Sequence, residues 1–183
     1  SALLSRLRGL FRRFAIDAEF SALSGSVHVR LPGELWVDLD AAHNALDEAE
    51  GFMRAGRARE AWPPALVAQS ILERGFLQGE EEPWIVHERG RIHEEHLRSL
   101  ELLADITLAA GEATSSAAFA RRACELEPFR ESAYGRKMRA EIGMGNRAEA
   151  LRTYEGLRRL LADELGTDPS PTVQAVFLQA LQE

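Results

Sequence analysis

Apolar residues recur at helical spacing along most of this chain and at strand spacing over only one short stretch. Leu3, Leu4, Leu7, Leu10, Phe11 and Phe14 fall on one side of a helix over residues 2–14, with arginines on the other. The period then changes. Val27, Val29 and Leu31 alternate with polar residues, Pro32-Gly33 is a turn signal, and Glu34–Leu39 has the composition of a second extended stretch. The pattern predicts one small β-hairpin between residues 20 and 38. From Asp40 the helical period returns and predicts helices over 40–55, 57–74, 83–110, 113–126, 130–144, 147–165 and 170–182. Pro63-Pro64 is expected to interrupt the second, with Ala65 opening a separate helix whose first turn holds proline. Glu80, Glu81 and Glu82 put acids before Pro83, where a helix N-terminus favours them. Gly166 suits a helix C-cap, and Pro169 and Pro171 stop that helix from continuing.

The turns repeat. Gly56, Gly111 and Gly145 each separate two helical runs, and Gly111 and Gly145 lie 34 residues apart, the tetratricopeptide period. Ala148 and Ala150 allow close helix–helix approach, and Tyr154, Leu157, Leu160 and Leu161 form the apolar stripe of the helix that follows the last turn. The predicted fold is mostly α: tetratricopeptide-like antiparallel helical hairpins stacked into a superhelix, with one N-terminal β-hairpin. Each hairpin has one uncovered apolar face, which stacking covers while generating a concave groove. The first hairpin is off-period because the helix from Pro83 is long.

Charge changes this picture at one end. The net charge is −7, yet Arg6, Arg8, Arg12 and Arg13 precede the first acid, Asp17. That asymmetry permits a nucleic-acid contact at the N-terminus and argues against one along the acidic body. The single cysteine, Cys124, excludes an intrachain disulfide framework and fits a reducing cytoplasm. No apolar run approaches the roughly 20 residues that span a bilayer. Ser1 in place of Met points to a chain that begins inside a longer protein.

No catalytic constellation stands out. His93 and His96 are spaced i, i+3 without a further cysteine or histidine to complete a metal site, so no metal and no cofactor is expected. Glu88, Glu94, Glu95 and Glu101 alternate with Arg89, Arg91 and Arg98, as in-helix ion pairs require. Cys124 lies in an apolar stripe with Ala117, Ala120 and Leu126, as a structural thiol does. Gly75–Gly79 lacks the lysine and spacing of a phosphate loop. Trp36, Trp62 and Trp84 are read as packing residues, Trp84 as a staple for its helix.

Several stretches together resemble the bacterial transcriptional activation domain of actinobacterial antibiotic-regulatory-protein-type regulators. They are Trp36–Asp40, Gly75–Ile85, Leu126–Ser132, Asn146–Tyr154 and Leu161–Pro171. The resemblance implies two domains: residues 37–183 as that tetratricopeptide-like domain, and residues 1–36 as the C-terminal remnant of an OmpR-like winged-helix DNA-binding domain. In that family Ala2–Arg8 would be the second half of the recognition helix and Phe20–Leu31 the wing hairpin. Arg6 and Arg8 then become the foremost DNA contacts, with Arg12, Arg13 and Arg30 behind them. The implied function is non-enzymatic transcription regulation, with promoter DNA bound by the full-length protein. The helical domain would contact the transcription machinery or another protein, form a homodimer, or act in sensing. Arg98, Arg136 and Arg139 on the inner helices are the expected partner contacts. The alternative is a tetratricopeptide adaptor for a protein or peptide without a DNA role, which leaves the basic helix and hairpin unexplained.

Overall fold

The structure, a computed structural model, describes residues 2–23, 26–31, 33 and 36–182. The chain divides into two units, Ser1–Val37 and Asp38–Glu183.

In the first unit, helix α1 (Ala2–Arg13) is followed by strands β1 (Glu19–Leu23) and β2 (Ser26–Arg30), paired antiparallel. Ala15 closes α1 in the left-handed region at φ +54°, with Ala15 N donating to Arg12 O (3.1 Å) and Ile16 N to Phe11 O (2.9 Å). The same closure elsewhere in the chain uses glycine. Phe20 pairs with Val29 and Ala22 with Val27, so four apolar residues share one face of the ladder. Phe11 meets Phe20 edge-on, centroids 5.3 Å apart.

The hairpin, over residues 19–30, falls where the resemblance placed it, at Phe20–Leu31, and not about the turn that the alternation suggested. Its strands flank Ser24-Gly25, not Pro32-Gly33, because that register gathers Phe20 and Ala22 with the two valines. Ser24, Gly25, Pro32, Glu34 and Leu35 lie outside the described residues. Trp36 and Val37 are irregular and exposed, and Asp38 and Leu39 begin a helix instead of ending a strand. Acids at Asp38 and Asp40 favour that helix start.

The second unit holds α2 (Asp38–Arg54), α3 (Ala58–Leu72), α4 (Pro83–Ala109), α5 (Ala113–Leu126), α6 (Glu131–Gly143), α7 (Arg147–Leu165) and α8 (Pro171–Gln182). Helices α2/α3, α4/α5 and α6/α7 form three hairpins, and α8 covers α6 and α7. One turn geometry makes all three. Gly56, Gly111 and Gly145 have φ of +73°, +81° and +75°. Each donates its N–H to the carbonyl three residues back, and the next residue donates five back, at 2.8–3.0 Å. Two orphan carbonyls of each first helix are thereby satisfied.

Small residues let the helices approach. Ala42, Ala49, Ala61, Ala65 and Ala68 are fully buried in the first hairpin; Leu103 joins Ala49, Ala61 and Ala65, and Leu97 and Leu100 cluster with Ala123 and Cys124 in the second. In the third, Tyr154, Leu157 and Leu161 of the predicted stripe join Ala150, Met138, Val173 and Val176, while the stripe's Leu160 is half-buried outside this cluster. Gly166 ends α7 at φ +66°, as the sequence requires.

The break expected at Pro63-Pro64 is absent: α3 runs through both prolines. Ala61 and Ala65, fully buried on either side, keep the segment seated against its neighbours, so packing outweighs the lost amide donors. The off-period first hairpin is confirmed in kind. Gly56 and Gly111 are 55 residues apart because α4 has 27 residues where α6 has 13, and a loop over 73–82 precedes it. Arg89 clasps this loop, donating to the carbonyls of Phe76 (3.3 Å), Leu77 (2.9 Å) and Glu80 (2.8 Å). Trp84 remains largely exposed and packs edge-on against Phe76 of the loop at 6.2 Å.

Candidate nucleic-acid and partner surfaces

Helix α1 splits by polarity as its sequence dictates. Leu4, Leu7 and Phe11 are half-buried, while Arg6, Arg8, Arg12 and Arg13 are exposed. Phe20 half-occupies the space beside Phe11, and the Arg8 guanidinium lies over its ring at 5.7 Å. This cation–π contact fixes one arginine without neutralising it. Arg6, Arg12 and Arg13 make no ion pair among the described residues, and Arg30 faces Glu19 across the hairpin at 3.6 Å, both highly exposed. Five arginines in this unit thus present charge to solvent, four on one helix and one on the hairpin. Leu10, Phe14, Val27 and Val29 are also exposed, apolar side chains that nothing within this unit covers.

In the helical unit the first helices of successive hairpins, α2, α4, α6 and then α8, pack on one another, and the second helices do so far less. That asymmetry curves the array toward its first helices, so α2, α4 and α6 line the concave side. Charged residues bridge this row. Arg98 of α4 donates to Glu50 of α2 at 2.6 Å, and His43 Nδ1 lies 3.1 Å from Glu95. Arg136 of α6 donates to Asp105 of α4 at 2.8 Å. Arg130, just before α6, reaches back to Glu94 (2.7 Å) and Glu101 (3.0 Å), and Ser132 donates to Glu101 as well. Burial raises the Glu101 carboxyl, but Arg130, Ser132 and Arg136 outweigh it and hold the group below the usual carboxylate range.

This ladder corrects one reading of the sequence. Of the acids on α4, Glu88 pairs within its helix, with Arg91 at 2.7 Å. Glu94, Glu95 and Glu101 pair across helices. In-helix spacing makes such pairs available, and the stacked neighbours supply stronger, less exposed partners.

The three expected partner residues divide by environment. Arg98 and Arg136 are committed to ladder acids. Arg139 is half-buried and makes no ion pair or hydrogen bond among the described residues. Counted from the turn glycines, Glu50, Asp105 and Arg139 occupy the same position in their hairpins. Two of these positions carry acids neutralised by the next first helix, and the third carries a cation with no such acid on α8. The equivalence is readable from the sequence once the glycines are aligned.

Among the described residues no group of three or more His, Cys, Asp and Glu side chains is placed to hold a metal. His93 instead faces Glu127 at 3.8 Å, and His96 is turned inward, its Nε2 buried without a hydrogen-bond partner. Cys124 is buried, which pushes its thiol up to about 12. No helix among the described residues is long and apolar enough to cross a membrane.

Comparison with known proteins bears on both units. A family model described as bacterial transcriptional activator domain matches residues 37–181. The regulatory protein AfsR of Streptomyces coelicolor is 33% identical over 178 residues, which is 97% of this chain and 18% of that protein. The chain therefore spans less than a fifth of that relative's length. Among solved structures, Mycobacterium tuberculosis EmbR, in complex with a low-affinity phosphopeptide, aligns with TM-score 0.77 at 21% identity, covering 89% of this chain and 43% of that one. The second tetratricopeptide domain of human RPAP3, in complex with an HSP70 peptide, aligns with TM-score 0.55 at 13% identity, covering 80% of this chain and all of that one. At these identities the structural likenesses establish the tetratricopeptide-like fold.

Proposed function

The chain belongs to the bacterial transcriptional activator domain family, and from that premise we propose that it is part of a DNA-binding transcription regulator with no enzymatic step of its own. Residues 1–36 are the C-terminal remnant of an OmpR-like winged helix, and residues 37–183 are the domain through which the regulator meets its protein partner. The observation that carries this reading is the set of arginines on α1, exposed and without ion pairs among the described residues, beside a two-stranded hairpin and directly ahead of the family domain.

A helix of this kind enters the major groove, with Arg6 and Arg8 at phosphates or base edges. Arg12 and Arg13, one turn on, contact the flanking phosphates, and Arg30 reaches the neighbouring backbone from the hairpin. The apolar side chains of Leu10, Phe14, Val27 and Val29 are covered by the rest of the winged helix in the full-length protein, or by a second copy in a homodimer. On the helical unit, Arg139 is the contact for an acidic group of the transcription machinery or of another protein. Arg98 and Arg136 shape the same concave face while holding its acids. The protein works in the cytoplasm, where promoter DNA and polymerase are found.

The test is binding of the full-length protein to promoter DNA upstream of its own gene neighbourhood across a salt series, with Arg6→Ala/Arg8→Ala as the comparison. Specific binding that weakens in the double variant supports the regulator. Binding that is only nonspecific and salt-sensitive in both transfers the reading to a protein or peptide adaptor, for which capture on residues 38–183 is the next experiment.

A further inference from the structure

A half-open cleft of about 310 Å³ lies between the first and second hairpins, at the low end of the roughly 300–1,000 Å³ typical of small-molecule sites. Its walls include Ala58, Arg59 and Trp62 of α3, Ile106 of α4, and Ala110 and Glu112 at the turn into α5, with the hydroxyl residues Thr107 and Ser115 beside them. The wall is mostly apolar, and Trp62 is held against Phe119 edge-on at 6.2 Å.

The junction between the second and third hairpins shows why this cleft is open. The backbones of the two turns coincide: Ala110 has φ −81°, ψ −2°, and its equivalent Met144 has φ −84°, ψ −4°. Glu112 and its equivalent Asn146 match equally well, at −89°, 59° and −90°, 53°. At the later junction the Met144 thioether reaches across to Thr114, the equivalent of Arg59, at 3.5 Å. At the earlier junction alanine stands where that methionine would be. The space thus lies where the same backbone turn at the next junction carries a methionine side chain.

Two charges border it. Arg59 and Glu112 make no ion pair with each other or with any described residue, whereas nearby Arg57 pairs with Glu60 and stacks on Phe52. They come from opposite walls, Arg59 from α3 and Glu112 from the turn. A simple anion would satisfy Arg59 and face Glu112; a simple cation would do the reverse.

We propose that this cleft is a binding site for a small zwitterion with an apolar body, of the free apolar amino-acid class. The apolar group enters between Trp62, Ile106 and Ala110, the carboxylate meets Arg59 and the ammonium meets Glu112. The site spans two hairpins, so a ligand there bridges them much as Met144 bridges the next pair. This assignment is independent of the DNA reading.

The experiment follows Trp62 emission in the full chain carrying Trp36→Phe and Trp84→Phe. The probes are L-phenylalanine, 3-phenylpropionate (anion only) and phenethylamine (cation only). A saturable change is expected, with L-phenylalanine bound up to about fivefold more tightly than either singly charged probe, the most that an exposed charge pair gives. Arg59→Ala removes its advantage over phenethylamine, and Glu112→Gln removes its advantage over phenylpropionate. Ala110→Met, which installs the later junction's own side chain, abolishes binding while circular dichroism shows an unchanged helix content; Ala58→Leu fills the cleft from the other wall should Ala110→Met misfold. No saturable change with any probe, or a change that survives the filled cleft, overturns the site. Phenylpropionate binding as well as L-phenylalanine overturns the zwitterion assignment.

Discussion

The Arg130 guanidinium donates to the Glu101 carboxylate at 3.0 Å, joining residues 29 positions apart and tying the start of α6 to the middle of α4. Glu101 is almost fully buried, with Arg136 3.6 Å away and Ser132 hydrogen-bonded to it. One acid therefore organises the junction between the second and third hairpins. Its removal takes the shared acid from Arg130 and Arg136, which keep Glu94 and Asp105 respectively.

Glu101→Ala is expected to lower unfolding free energy by about 1.5–3 kcal/mol, the range for hydrogen bonds to a charged group, since both arginines keep a second acid. Denaturant titration at pH 7 measures it. The pH dependence has a definite sign. The folded carboxyl ionises below the ordinary glutamate value of about 4.3, so its contribution is complete above that value and is lost as pH falls through the lower folded value. The variant's stability curve should be flatter on the acid side. An acid limb identical to that of the parent chain would count against this role.

His96 is expected to give a separate slope nearer neutrality. Burial, then the nearby Arg122, hold its imidazole below the ordinary 6.5 or so, against an opposing pull from Glu73. Because the unfolded chain takes up the proton first, stability declines as pH drops below about 6.5 toward the folded value. His96→Leu removes that slope, and melting curves at pH 7.5 and 5.5 should differ less than those of the parent chain.

Two glycines are expected to respond in opposite directions to alanine. At Gly111 the backbone sits at φ +81° with open space around the missing side chain, so the cost is conformational, roughly 1–2 kcal/mol. At Gly156, exposed within α7, alanine should stabilise by about 0.5–1 kcal/mol. A paired thermal melt of the two variants decides both.

Cys124 should resist alkylation in the native state at pH 8, since burial keeps the thiol protonated. Iodoacetamide labelling is expected to follow global unfolding in denaturant. Rapid labelling of the folded chain would show that the second hairpin opens locally.

On the proposed DNA reading, Arg12→Ala/Arg13→Ala should weaken promoter binding uniformly across sequences and lower the salt slope of the logarithmic affinity by about 2. Arg139→Ala should leave that slope unchanged. An equal effect of both would show that the helical unit also touches DNA.

The turn glycines and the 3.6-residue period determined the helical hairpins from sequence alone, because a left-handed closure and an apolar stripe are local requirements. Locality also explains the two misreadings. Pro63 and Pro64 oppose a helix by themselves, and only the burial of Ala61 and Ala65 against neighbouring helices carries α3 through them. The hairpin's register is decided by which strand gathers the most apolar residues on one face, and Pro32-Gly33 was the louder but not the effective turn signal.

The surfaces divide in the same way. Exposed arginines on α1 were legible because a basic stripe opposite an apolar one is a property of one helix. The partnering of Glu94, Glu95 and Glu101 was not, since those acids have equally good in-helix partners on paper and their actual ones lie on α2 and before α6. The cleft beside Trp62 was not legible in the sequence: alanine at position 110, just past the end of α4, carries no signal by itself. Its meaning arises only when stacking sets it against α3, at the place where the next turn carries methionine. The sequence determined most of the elements, since contacts a few residues apart fix all but α3 and the hairpin. The tertiary structure decided which charges are spent and which spaces stay open, since both depend on side chains brought together from distant parts of the chain.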